Sequence, residues 1–279
     1  MKPVVAIVAQ GTMASGLGGR LVKHGVQVLT TVTGRTPASQ RRAATAGMTP
    51  VSIPQLLEAD ILLSVLPPAA ALSYATALAS ELKAAPRKPL YVDCNAVSPE
   101  IARSIARVIL PTGCAFVDVG IIGMPPKEGY AGPRLYASGS AAQRLLPLRN
   151  FGLDIVVLEG DVGEASAIKM SYAGITKGLT AVATTMILAA TRVGLAAVLK
   201  RELAESDPVL FAMLARRVPD MLPKAYRWVD EMRQIQAFAA EDSAASEIFQ
   251  GAAQLYERIA SDLGGDSREC TALEEFFVK

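Results

Sequence analysis

Apolar residues follow two regimes along the chain. From Val4 to about Val157, short aliphatic and β-branched runs such as "VVAIV", "VQVLTTV", "ILLSVL", "LYVDC", "CAFVDVG", "RLYASG" and "DIVVL" alternate with stretches of helical spacing. The latter include Ser15–His24, "PASQRRAATAG", "AAALSYATALASELKAA", "SPEIARSIARVIL" and "AAQRLLPLRN". This alternation predicts parallel strands joined by crossover helices, hence a doubly wound α/β sheet.

After Gly163 the strand signal stops. "EASAIKMSYAGITKGLTAVATTMILAATRVGLAAVLK" predicts one long helix, and "DPVLFAMLARRV", "PKAYRWVDEMRQIQAFAA" and "SAASEIFQGAAQLYERIASDL" predict further helices that start at Pro, Asp or Ser. The expected organisation is an α/β domain over residues 1–160 and an all-α domain over 161–279. An apolar helix of that length needs partners, so the stretch around Met186-Ile187-Leu188 is expected in a core or in a homodimer interface.

Composition removes several function classes. With 28 Lys and Arg against 26 Asp and Glu, the net charge of +2 gives no bulk attraction to nucleic acid or an anionic membrane. The uncharged stretch 61–80 is divided by Pro67-Pro68 and reads as strand, turn and core-facing helix rather than a membrane span. The first apolar run is only strand-length, so no signal peptide is expected. Cys94, Cys114 and Cys270 form no CxxC pair and are odd in number, which argues against disulfides and a metal site and for a reducing cytoplasm.

The first strand leads into "AQGTMASG". A dinucleotide loop uses glycine for the tight turn, for close approach to pyrophosphate, and for helix packing on the strand. Those places are Ala9, Gly11 and Ala14 here; Ala9 implies a turn with ordinary backbone dihedrals at the first. The helix behind Gly11 offers free N–H groups and a positive dipole end to phosphate. At the end of the second strand, where Asp or Glu would bind a ribose 2′-hydroxyl, the chain has Thr33-Gly34-Arg35-Thr36. Arg35 favours a 2′-phosphate, so the expected cofactor is NADP(H) rather than NAD(H); Arg41 and Arg42 either add charge there or line a solvated helix face.

The succession "GTMASGLGGRL", "TGRT", "LSVLPPAAA", "VDCNAVSP", "VDVGIIGMPP" and "GEASAIKMSYAGITKG" resembles the β-hydroxyacid dehydrogenase superfamily, which includes 6-phosphogluconate and 3-hydroxyisobutyrate dehydrogenases. The remainder, especially "MLPKAYRWVDEM" and "EIFQGAAQLYERI", is similar to the short helical C-terminal domain of a 6-phosphogluconate dehydrogenase-like subgroup. The resemblance implies a Rossmann domain followed by a helical substrate and dimerisation domain. It places cofactor contacts on Gly11, Thr12, Met13, Arg35, Thr36, Leu66 and Pro67, and the region beside nicotinamide and substrate on Asp93, Asn95 and Ala96. It also places the catalytic lysine on Lys169, after Gly160 and Gly163.

The residues allow an independent check on the lysine. Hydride transfer from an alcohol needs a group that takes the hydroxyl proton. The single histidine, His24, closes the first helix before Gly25, where it suits the helix dipole rather than catalysis. A lysine does this work once desolvation and nearby charge bring its pKa from about 10 toward 7 to 8. At ~100° per residue, Lys169, Tyr172, Ala173 and Thr176 share one helix face, expected to look toward a cleft, with Lys177 at its margin.

Two departures from the superfamily pattern bear on substrate. The asparagine expected one turn after the lysine is Ala173, leaving Tyr172 or Thr176 to supply that hydrogen bond. The carboxylate-binding loop reads Asp118-Val119-Gly120-Ile121-Ile122-Gly123-Met124, with Ile122 in the serine place and Met124 in that of the last glycine. Exchange of a hydroxyl for isoleucine favours a bulkier, more apolar substrate. Gly120, Ile121, Ile122, Gly123, Thr176 and Lys177 are the candidate substrate residues, and Lys224 to Trp228 is a candidate reach into a cleft or an amphipathic packing segment. The chain is also shorter than 6-phosphogluconate dehydrogenase, so that activity is not expected. The leading expectation is an NADP-dependent oxidoreductase acting on a β-hydroxy acid or bulkier alcohol, with Lys169 as acid/base and Asn95 and Tyr172 positioning the reacting group. Imine reduction and a non-catalytic NADP-binding module are the alternatives.

Overall fold

The computed structural model describes residues 2–278. Among them β1 (Val4–Val8), β2 (Gln27–Thr30), β3 (Thr49–Pro50), β4 (Ile61–Ser64), β5 (Leu90–Asp93), β6 (Phe116–Ile122), β7 (Arg134–Ser138) and β8 (Asp154–Val157) form one sheet. Its order is β3-β2-β1-β4-β5-β6-β7-β8. Helices α1 (Thr12–Lys23), α2 (Pro37–Thr45), α3 (Ile53–Leu56), α4 (Pro68–Ala84) and α5 (Pro99–Ile109) supply the crossovers. The strand order reverses direction at β1 and β4, which defines the switch point where open α/β sheets bind ligands beyond the carboxyl ends of the strands.

The apolar runs become strands because both sheet faces are covered. Val5, Ile7, Val28, Leu63, Val92 and Val119 pack in one buried cluster, whereas Ala6, Val8, Leu62, Tyr91 and Phe116 pack in the other. All ladders are parallel except β6 with β7, which pair antiparallel through the long connection 123–133. The helix expected from "AAQRLLPLRN" is a 3-10 helix over Ala142–Phe151, because Pro147 removes an N–H from its interior. Gly152, at φ 84°, closes it.

The remaining helices are α6 (Glu164–Arg192), α7 (Ala196–Ser206), α8 (Pro208–Met221), α9 (Ala225–Phe238), α10 (Ser243–Leu263) and α11 (Arg268–Phe277). The long helix expected to run through Lys200 stops at Arg192. Gly194 takes φ 75°, and Leu195 N–H returns to Ala190 O at 2.8 Å, a left-handed cap that ends α6 before α7 begins. Asp207 and Asp242 accept backbone N–H bonds at the starts of α8 and α10. By length and composition alone α6 could cross a membrane, yet 44% of its most apolar window is buried within the protein.

The chain divides into two compact units between Met170 and Ser171, inside α6, rather than near residue 160. The first turns of α6 are tied to β6 and β7 by Asp118 and Ser138, so they belong to the α/β unit. Within the helical unit, Gly174 and Gly178 leave room for Phe249 of α10, whose ring would lie 3.1 Å from a Cβ at position 174.

Candidate active site

The β1–α1 loop is held by its own polar groups. Gln10, 2% exposed, donates from Nε2 to Thr30 Oγ1 at 2.6 Å and to Thr31 O at 2.9 Å, tying the loop to the end of β2. Arg42 Nε donates to Gln10 O at 2.6 Å. Ala9 does not have the ordinary dihedrals expected of it: it sits at φ +70°, in the left-handed region. The turn retains the geometry that glycine accepts freely, because the fixed end of β1 and the start of α1 demand it, and Ala9 bears the strain.

Gly11 follows at φ −66° and ψ 171° as an exposed N-cap, and helix α1 starts at Thr12, three residues earlier than its sequence pattern suggested. No side chain caps this end, and a Cβ on Gly11 would meet nothing within 4 Å. An uncapped N-terminus of a 12-residue helix behind an open glycine fits a pyrophosphate: Thr12 and Met13 bring backbone N–H groups to the positive end of the dipole.

At the end of β2, Arg35 is half-buried and Thr36 Oγ1 accepts from Ser39 N–H at 3.3 Å, capping α2. The Arg35 charge partly offsets the effect of burial on Tyr74 of α4, whose phenol is pushed up to about 12. Arg41 is exposed, whereas Arg42 is engaged by the β1–α1 loop, which leaves Arg35, half-buried in the loop after β2, outside that bond.

Asn95 is 3% exposed and its amide is engaged at both ends. Oδ1 accepts from Leu66 N–H, while Nδ2 donates to Ser64 Oγ at 3.2 Å and to Asp93 Oδ1. This pins the turn that carries Leu66 and the exposed Pro67 at the start of α4. Asn95 therefore shapes the site rather than presenting a free amide.

Asp93 and Asp118 are register partners on β5 and β6, both without exposed surface. Burial, then the Asp118 charge, pushes Asp93 up to about 8, opposed by its bond from Asn95. Burial also raises Asp118, but four donors oppose it: Ser166 Oγ at 2.7 Å, Ser166 N at 2.9 Å, Gly163 N at 3.0 Å and Ser138 Oγ at 3.3 Å. The four donors hold the Asp118 carboxylate in its charged form, whereas Asp93, with Asn95 as its hydrogen-bond donor, is the member pushed further toward keeping a proton.

Two residues along β6, Gly120 lies against α6. A Cβ there would fall 2.2 Å from Ala165 O and 3.0 Å from Lys169 Cβ. The structure thus brings Gly120 and Lys169 together. Ile121 instead turns into the core on the other sheet face, while Ile122 is half-buried and Met124 exposed. At Gly123, φ 130°, a side chain would strike Pro133 and Tyr130.

In the helical unit, Tyr172 is exposed and Thr176 donates to Tyr172 O at 2.9 Å, a bond within its own helix. Lys177 is committed: it pairs with Glu231, with side chains 15% and 17% exposed, and stands 4.8 Å over the Trp228 ring. Tyr256 donates to Lys177 O at 2.6 Å and meets Trp228 edge-on. The segment after Pro223 is accordingly packing around α6, with Trp228 at its centre. Among the described residues Lys224 pairs with Asp220, at 4.0 Å.

Gln10, Ser138 and Ser166 were not singled out by the sequence. A carboxylate inside the apolar run "FVDVG" was the available signal, since a buried charge must find donors.

A doubly wound sheet with an open, uncapped helix terminus at its switch point, followed by a helical unit, defines a dinucleotide-binding α/β protein. Residues 4–144 match the NAD binding domain of 6-phosphogluconate dehydrogenase, and residues 190–259 match a domain of unknown function, DUF1932. The chain belongs to this 6-phosphogluconate dehydrogenase-like family of nicotinamide-dependent oxidoreductases. It is 30% identical over 237 residues, 84% of this chain and 90% of the other, to an uncharacterized 28.5 kDa protein of Methanothermus fervidus. It is also 30% identical to the conserved protein MTH1747, of unknown function and structurally similar to 3-hydroxyacid dehydrogenases, with a TM-score of 0.69 over 94% of this chain and 99% of that one. The 3-hydroxyisobutyrate dehydrogenase of Mycobacterium tuberculosis shares the fold, with a TM-score of 0.73 at 19% identity over 94% and 95% of the two chains.

Proposed function

We propose that the protein is an NADP-dependent oxidoreductase that moves a hydride between the nicotinamide and the alcohol/carbonyl pair of a β-hydroxy acid or a bulkier related alcohol, with Lys169 as general acid/base. The observation that carries this reading is the approach of Lys169 to Gly120, where a Cβ would stand 3.0 Å from the lysine's own Cβ. That approach, near the carboxyl end of β6, supports Lys169 as the acid/base.

A nicotinamide held here would supply or accept the hydride. The chain's own residues do the rest in this reading. Thr12 and Met13 N–H groups receive the pyrophosphate, Arg35 and Thr36 receive the 2′-phosphate, and Leu66 and Pro67 wall the dinucleotide. Lys169 Nζ takes the hydroxyl proton in oxidation and returns it in reduction. Asn95 acts by holding Leu66 and Asp93, and Tyr172 or Thr176 is the candidate for the hydrogen bond that the missing asparagine would have made.

Ile122 and Met124, in place of hydroxyl and glycine, favour an apolar substrate body. The same two residues and Ala173 also suit an imine, whose reduction needs a proton donor but no carboxylate clamp. A module that binds NADP without turnover is the remaining alternative.

The helical unit is assigned to substrate binding and homodimerisation, as a cytoplasmic enzyme with no nucleic-acid or membrane partner. Tyr172, Ile175, Leu179, Val182 and Met186 are all exposed and recur every three or four residues along α6, a seam of the kind that pairs with a second helix.

The test is turnover of purified wild type and Lys169→Ala with NADP and NAD against hydroxy acids, apolar alcohols, ketones and imines. Loss of NADP-linked turnover in the variant, with NADPH still bound, is expected. Full activity of Lys169→Ala overturns the lysine assignment. Arg35→Ala should weaken NADPH by about 10- to 100-fold and NADH far less; equal losses overturn the cofactor preference.

A further inference from the structure

We propose that Asp118 is the positioning residue for Lys169, acting through the first turn of α6; its catalytic consequence rests on the lysine reading above. Asp118 and Gly120 are two apart on β6 and so face the same side of the sheet. Asp118 fixes the end of the helix: its carboxylate accepts from Gly163 N at 3.0 Å, Ser166 N at 2.9 Å and Ser166 Oγ at 2.7 Å. Ser138 of β7 takes the next donor, Ala165 N, at 3.0 Å, and itself donates to Asp118 at 3.3 Å.

The N–H groups that open a helix are usually satisfied by a local cap, which travels with the helix. Here two neighbouring strands provide the acceptors, so the helix end is locked to the sheet. Gly163, at φ 109°, has the conformation that aims its N–H at Asp118. Gly120, further along the same face of β6, completes the seat, because its missing Cβ lets Ala165 O and Lys169 approach. Lys169 lies three residues beyond Ser166, less than one turn from the knot. No slack remains between Asp118 and the lysine's backbone.

The carboxylate is also suited chemically. An ionised acceptor bonded by three groups at a helix N-terminus gains from the dipole as well as from charge-assisted hydrogen bonds. An asparagine of the same shape offers one acceptor oxygen and an NH2 that meets donors.

The experiment compares wild type, Asp118→Asn and the milder Ser166→Ala as NADPH-bound proteins, and reads three quantities. Amide exchange of peptides covering 163–170, acylation of Lys169 as a function of pH by mass spectrometry, and the split of kcat from KM are measured beside NADPH affinity. Expected are exchange and Lys169 acylation accelerated by about tenfold or more in Asp118→Asn and less in Ser166→Ala, with β1 peptides unchanged. The fall in turnover should lie in kcat and carry a shifted pH profile, with NADPH affinity held. Unchanged acylation and exchange in both variants overturn the proposal, as does a loss confined to KM. If Asp118→Asn does not fold, Ser166→Ala decides alone. Activity surviving in Lys169→Ala would overturn the lysine reading by itself, while acylation and exchange would still decide whether Asp118 seats the helix.

Discussion

Asp93 and Asp118 are neighbours across β5 and β6 with no solvent exposure, the first bonded by Asn95 and the second holding the start of α6. The pair makes stability depend on pH. Asp93 is raised from 3.8 to about 8 in the folded state, so between those values the folded protein keeps a proton the unfolded chain has lost. Stability from this group is therefore complete below pH ~4 and declines as pH rises through about 8. Asp93→Asn, which keeps an acceptor for Asn95, should lose less stability than wild type between pH 5 and 8. Denaturant midpoints across that range would show it, and parallel curves would refute it.

Ala9 occupies φ +70° in the tight turn after β1. Ala9→Gly should stabilise the protein by about 0.5–1 kcal/mol, the left-handed strain relieved less the extra entropy of glycine in the unfolded chain. Ala9→Val should destabilise it. Thermal unfolding of the two variants in one buffer checks both signs.

Lys177 and Glu231 form a mostly buried ion pair, with Trp228 stacked on the cation. Removal of one partner takes a buried ion pair from the other, so Glu231→Ala should cost about 3 kcal/mol, whereas Lys177→Met with Glu231→Leu should cost clearly less. A double-mutant cycle by urea denaturation measures the coupling. Additive effects would show that the pair contributes only through packing.

Ile175 and Val182 are 73% and 57% exposed on α6. If that seam pairs two copies, Ile175→Glu and Val182→Glu should yield a folded monomer, because neither side chain supports the core of its own chain. Sedimentation of wild type and variants tests this; a monomeric wild type, or dimeric variants, would exclude the seam as interface.

Much of the fold was legible because it depends on local pattern. The apolar runs that became β1, β4, β5 and β6 are continuous, as strands covered on both faces must be, and the helix starts at Ser98 and Asp207 carry the Ser and Asp that cap α5 and α8. Breaks were harder to read. The cap at Gly194 and the 3-10 geometry around Pro147 each turn on a few backbone dihedrals within otherwise helical spacing.

Of the candidate site, the sequence pointed to Lys169, Arg35 and the Gly11 loop, while Asn95 and Lys177 were legible as polar residues but not as groups already engaged. The bonds that engage them reach Leu66, Ser64 and Glu231, far away in the chain. No periodicity encodes such pairings.

The sequence by itself determined the two regimes of architecture and the place of the dinucleotide loop, since each follows from spacing along one strand or one helix, while the candidate lysine came from the family resemblance. Only the tertiary structure decided that Ala9 bears a left-handed turn, that Arg42 braces the loop, and that Asp118 anchors α6 beneath Lys169. The physical reason is that a buried polar group takes its partners from whatever the folded chain brings within hydrogen-bond distance, and for Asp118 those partners lie 45 and 48 residues away.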